Sequence, residues 1–354
     1  MERDEIMDRN EIITLIKNPA YDFLEINGHL GENIIFLTLG GSHAYGTNTE
    51  NSDMDVRGVA TNSRKEILLN KGFEQVIDDP TDTTIYSLTK FINLISDCNP
   101  NTIELLGCKP EHYIYINPIG EELLKNRKMF LSKRAKYKFG GYATAQLRRL
   151  QNALARDNYP EIEKEKHILD SMKNTMNAIF EQYNNDILLY VGEDDAINIK
   201  FRKDLDMPIR ETNSMLSQLT NIVRDYEKLN HRNKKKDDLH LNKHAMHLVR
   251  LLLMGIDIFE KEEIITYRES DHDLLMKIRN GFFQKSDGSY HPIFFDMVAD
   301  LQERFDYAAE NTALPEKPKT KKIEDFICNI NSSIISGYVP HETFPEWRGV
   351  DNGK

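Results

Sequence analysis

Apolar positions along the 354-residue chain follow two different rhythms. Residues 34–39 (IIFLTL) form a short unbroken apolar run, the mark of a strand covered on both faces. Residues 53–60 (DMDVRGVA) alternate and predict a second strand. Residues 83–88 (TTIYSL), rich in β-branched and aromatic side chains, predict a third. Directly after it Leu88, Phe91, Ile92 and Ile95 recur at i, i+3, i+4 and i+7, the stripe of an amphipathic helix. From about residue 119 helical spacing dominates. It predicts helices near 119–128, 133–156, 161–189, 208–230, 239–260, 270–281 and 321–335, with exposed connectors at 191–198 and 231–238. The expected architecture is α+β: a small mixed-sheet domain over 1–118, then a mainly helical domain over 119–354.

Composition narrows this picture. There are 46 Lys and Arg against 57 Asp and Glu, a net charge of −11. That excludes a surface coated for nonspecific DNA binding, while leaving room for a local basic cleft. The three cysteines, Cys98, Cys108 and Cys328, form no CxxC pair. Such sparse thiols are expected of a reducing compartment. The charged start MERDEIMDRNEII has no apolar leader, and no apolar run approaches the ~20 residues that span a bilayer. A cytoplasmic protein without a membrane partner is therefore expected.

The chemistry concentrates in Gly40–Gly58, GGSHAYGTNTENSDMDVRG. A buried strand runs into Gly40-Gly41, where missing side chains let backbone approach a ligand. Ser42 is a favoured helix cap and is expected to open a helix, whose free N–H groups favour phosphate. Ten residues separate Ser42 from Asp53. Asp53 and Asp55, two apart on an expected strand, present their carboxylates on one face. Paired carboxylates repel unless a cation lies between them, and Mg²⁺ commonly bridges such carboxylates to substrate phosphates. A phosphate cradle beside paired acids points to phosphoryl or nucleotidyl transfer on two metal ions.

This Gly-Ser, ten-residue, Asp-x-Asp string resembles the signature of the DNA polymerase beta nucleotidyltransferase superfamily. The fuller string GSHAYGTNTENSDMDVRGV resembles the branch that includes RNA-ligase-partner proteins. Further likeness lies in NPNTIELL (99–106), FGGYATAQLRRL (139–150), KHAMHLVRLLLMG (243–255), LLMKIRNG (274–281) and ALPEKPKTKKIEDF (313–326). The resemblance implies that Gly41 and Ser42 hold a nucleoside triphosphate and that Asp53 and Asp55 bind two Mg²⁺ or Mn²⁺ ions. It also implies a third carboxylate on a neighbouring strand. Asp82, opening DTTIYSL, is the choice over Asp79 and Glu74; Glu104 is a further candidate.

The implied reaction moves an NMP from an NTP to a hydroxyl and releases pyrophosphate. The expected acceptor is an RNA or tRNA end, with association with RNA-repair machinery. A protein hydroxyl is the alternative acceptor, and a noncatalytic, antitoxin-like nucleotide-binding module is the rival class.

Other residues join the candidate site. His43 follows the cradle directly. Arg57, two residues after Asp55, either pairs with the acids or touches phosphate. Lys243, His247 and Arg250 sit at i, i+4 and i+7 of one expected helix and form a polar stripe that could close over the triphosphate. Lys133, Arg134, Lys136 and Lys138, with Arg148 and Arg149, are basic clusters that could follow a nucleic-acid backbone.

Overall fold

The computed structural model describes residues 17–50, 52–158, 187–191, 197–201, 238–286 and 288–337, with single positions between 12 and 16 and between 209 and 220. All six residues of β1 (Ile34–Leu39) are buried, because the strand lies inside a five-stranded sheet of order β3-β4-β2-β1-β5. Its partners are β2 (Val56–Ala60) and β5 (Tyr113–Ile116), both antiparallel to it. β4 (Thr83–Ser87) runs parallel to β2 with Val56 opposite Thr83. β3 (Gln75–Asp78) is the antiparallel edge strand beyond it. The mixed sheet expected from the sequence is thus present.

Two short helices lie between the first strands. α1 (Gly41–Tyr45) follows β1, and α2 (Arg64–Leu69) follows β2. α3 (Leu88–Ser96) begins where β4 ends, capped by the Ser87 hydroxyl. Its stripe Leu88, Phe91, Ile92 and Ile95 is buried as the spacing requires, with Phe91 edge-on to Phe36 of β1 at 5.8 Å. A second apolar cluster unites Ile34, Leu37, Leu39, Val56, Ile85 and Ile114 with Leu24 and Leu30.

The helices that follow are α4 (Pro118–Lys125), α5 (Arg134–Asn158), α6 (Asp238–Lys261), α7 (His272–Arg279), α8 (Pro292–Asn311) and α9 (Thr320–Ser336). Contacts divide the chain into two compact units. One comprises Met1–Arg149, Asn242–Gln284 and Tyr290–Lys354; the other comprises Leu150–Leu241 and Lys285–Ser289. The first unit contains the whole five-stranded sheet and every side chain considered for the site below. Among the described residues, no helix is long and apolar enough to cross a membrane.

Several expectations change. The strand expected from residue 53 begins at Val56; Asp is a poor strand former, so both acids precede it. β3 and β5 are short and lack clear alternation, and neither was foreseen. Where a helix was expected to end near 189, β6 (Ile187–Val191) pairs antiparallel with β7 (Ile197–Phe201); ILLYV and INIKF are β-branched and aromatic runs. α8 was also missed, although Pro292 in its first turn is a helix-start signal. The rest of the helices expected over 161–189 and 208–230 falls largely outside the described residues, as does most of the connector at 231–238.

Candidate active site

At the end of β1 the Gly40 N–H donates to the Asp55 carbonyl at 2.8 Å. Gly40 is the extended cap of α1, and Gly41 is its first residue, with φ +54°. Ser42 therefore lies within the helix and does not cap it. A side chain at Gly41 would place its Cβ 1.8 Å from Asp55 Oδ2. The neighbour that requires this glycine is thus the Asp55 carboxylate itself, and a left-handed φ adds a second reason. Gly46, at φ +72°, ends α1, and a Cβ there would meet the Tyr267 ring at 2.4 Å.

The parallel register of β2 and β4 puts Val56 opposite Thr83. Asp55 and Asp82 each precede one of these residues, so the two acids come side by side. One Arg57 nitrogen, Nη2, lies within 3.1 Å of an oxygen of each. Burial, followed by the interaction with the Asp82 carboxyl group, raises the Asp55 pKa from 3.8 to about 7, and the charges of Asp82 and Asp53 push in the same direction. Asp82 moves the opposite way, held down first by the interaction with Asp55 and then by Arg57. The two acids titrate as a pair: burial favours the protonated form of Asp55, while Asp82 is favoured ionised.

Arg57 faces both acids. Its Nη2 donates to Asp55 Oδ1 at 3.1 Å and to Asp82 Oδ1 at 3.0 Å, and its Nη1 donates to the Asp82 carbonyl. The choice left open for Arg57 falls here on the acids. Asp53 is exposed, two residues before Asp55. Of the competing third acids, Glu74 is 80% exposed and pairs with Lys90 at 3.5 Å. The main-chain carbonyl of Asp79 accepts from the Asp82 N–H. Among the described residues, no three His, Cys, Asp or Glu side chains converge as a formed metal centre.

A second layer lies behind α1. The Tyr45 hydroxyl donates to Glu104 Oε1 at 2.8 Å. Arg250 Nη1 donates to Glu104 Oε2 at 3.0 Å, and the guanidinium lies 3.7 Å over the Tyr45 ring. Arg250 is 3% exposed, so the cation expected on a polar stripe of α6 is committed to a buried ion pair. His247 packs edge-on to the same ring at 6.0 Å. Burial, followed by Arg250, pushes its pKa down to about 3 and keeps it neutral. Lys243 of that stripe is exposed.

His43 is buried with Nε2 unpartnered, and burial lowers its pKa. Thr47 Oγ1 is a second buried atom without a partner. Arg279 of α7 donates through Nη1 to the Thr47 carbonyl at 2.6 Å and through Nη2 to the Ser52 hydroxyl at 3.2 Å. Arg279 was not singled out from the sequence, although it sits in the segment LLMKIRNG.

The basic residues at the start of α5 and just before it are paired with acids. Lys133 pairs with Glu316, Lys136 with Glu310, and Arg134 and Lys138 with Asp97. Phe139 is core, whereas Tyr137 is 80% exposed.

Residues 17–178 match the family model RlaP, the RNA repair pathway DNA polymerase beta family. The match bears out the resemblance to polymerase-beta-type nucleotidyltransferases. It covers all five strands of the sheet and Gly41, Ser42, Asp53, Asp55 and Asp82. Lys243, His247, Arg250 and Arg279 lie beyond it. The RlaP description points to nucleotidyl transfer in RNA repair. No curated protein and no solved structure matches the chain.

Proposed function

We propose that the protein is a metal-dependent nucleotidyltransferase that moves an NMP from an NTP to a hydroxyl of an RNA or tRNA end. The observation that carries this reading is the Asp55–Asp82 carboxyl pair, set against Gly41 at the end of β1, with Asp53 two residues away. The RNA repair description of the matched family supports an RNA acceptor and work alongside RNA-repair proteins.

The donor set fits a hard divalent cation. It is made of carboxylate oxygens, and Arg57 bonds to both members of the Asp55–Asp82 pair. A cation between the carboxylates relieves their repulsion. Asp53, Asp55 and Asp82 would hold two Mg²⁺ or Mn²⁺ ions. When bound, such ions neutralise the phosphates and lower the pKa of the attacking hydroxyl.

The chain's own residues supply the rest. The triphosphate lies against Gly41 and Ser42, with the buried His43 next in the chain. Asp82 helps to take the acceptor's proton. The acceptor oxygen bonds to the α-phosphorus as the bond to pyrophosphate breaks. Lys243 remains exposed and can meet the leaving group. Cytoplasmic placement belongs to the same reading.

The test is incubation with each α-³²P-NTP, Mg²⁺ or Mn²⁺, and total RNA and protein, resolved on gels. Label in an RNA band supports the proposal. Label in protein moves the acceptor to a protein hydroxyl. No label and no pyrophosphate release leaves a nucleotide-binding module and overturns the enzyme reading.

A further inference from the structure

Arg279 ends α7 and is 8% exposed. Its two bonds reach Thr47 and Ser52, both in the loop that follows α1, and the next residue after Ser52 is Asp53. The loop is also tied to itself there. The Ser52 hydroxyl accepts from the Thr49 N–H at 2.8 Å, and the Ser52 N–H donates to the Thr49 carbonyl at 2.9 Å.

Burial lowers the Arg279 pKa, and no carboxylate of the described residues opposes that. Burying a guanidinium costs stability. What the residue supplies in return is local to the loop: two divergent acceptors held by one planar fork. A lysine, with a single ammonium centre, reproduces that poorly.

We propose that Arg279 is a positioning residue that acts through Ser52 to fix the backbone delivering Asp53 beside Asp55. The proposal rests on the reading of those acids as a metal-holding pair. Partners that orient metal-holding side chains from outside typically cost ~10–100-fold in metal affinity or activity when lost.

The experiment is a Mn²⁺ titration of the full-length chain, with free Mn²⁺ followed by electron paramagnetic resonance. It compares the wild type with Arg279→Met, Arg279→Lys, Ser52→Ala and Arg304→Met, each checked for folding by circular dichroism. Arg304 pairs with Glu260 on an exposed surface and serves as the control. Arg279→Met and Arg279→Lys are expected to weaken Mn²⁺ binding by ~10-fold or more. Ser52→Ala should weaken it less, and Arg304→Met should leave it unchanged. Wild-type affinity in both Arg279 variants overturns the proposal. If Arg279→Met fails to fold, unchanged affinity in Arg279→Lys and Ser52→Ala overturns it instead. A wild type that binds no Mn²⁺ overturns the metal reading and this proposal together, so the two failures are told apart by the wild type alone.

Discussion

Asp55 and Asp82 come side by side, both bonded to Nη2 of Arg57, because β2 and β4 run parallel in one register, with Val56 opposite Thr83. In the chain the two acids lie on either side of a crossover that includes α2 and the edge strand β3. The result is a carboxyl pair whose full ionisation is opposed up to about pH 7 even with Arg57 beside it.

That pair predicts a pH signature. Asp55 in the folded protein titrates near 7 against an ordinary 3.8. Between those values the folded chain holds a proton that the unfolded chain has lost, so the contribution of Asp55 to stability falls as pH rises from about 4 to about 7. Thermal melts without metal should show this fall in the wild type and lose it in Asp55→Asn. Mn²⁺ binding at pH 6 should release close to one proton and tighten as pH rises toward 7. Calorimetry in buffers of different ionisation enthalpy measures that release; pH-independent binding would contradict the assignment.

Gly41→Ala is a steric test. Its Cβ would sit 1.8 Å from Asp55 Oδ2 on a backbone at φ +54°. Either the carboxylate or the turn must move, and a displacement of ~1 Å at a reacting centre can cost ~10²-fold in rate. The expected result is a folded, less stable protein with transfer reduced by at least that factor, read from label incorporation and a thermal melt.

Glu104 and Arg250 predict a stability effect. Both side chains are nearly inaccessible and 3.0 Å apart, so removing one leaves the other charge buried and unpaired. Glu104→Gln and Arg250→Met should each cost ~3–5 kcal/mol in urea unfolding, while folded protein keeps its NTP affinity. A large loss of NTP affinity with unchanged stability would return Arg250 to the phosphate site.

Much of the sheet was legible because its signals are local. The unbroken run of β1 and the i, i+3, i+4, i+7 stripe of α3 mark elements that form where the pattern says. The Gly-Ser and Asp-x-Asp string was legible for the same reason. What could not be read is what depends on partners distant in the chain. Asp82 stands apart from Asp79 and Glu74 only through the register of β4 against β2. The helical spacing of Arg250 grouped it with Lys243, but its fate is decided by Glu104, 146 residues away. Arg279 gave no local signal, since its acceptors are a carbonyl and a hydroxyl more than two hundred residues earlier.

The most direct measurement is α-³²P-NMP transfer by the wild type, Asp53→Asn and Asp55→Asn under the same Mg²⁺ or Mn²⁺ conditions, with pyrophosphate release followed in parallel. The account predicts label on an RNA acceptor with the wild type and loss of both signals in the two variants, which remain folded by circular dichroism. Undiminished transfer by either variant would contradict it.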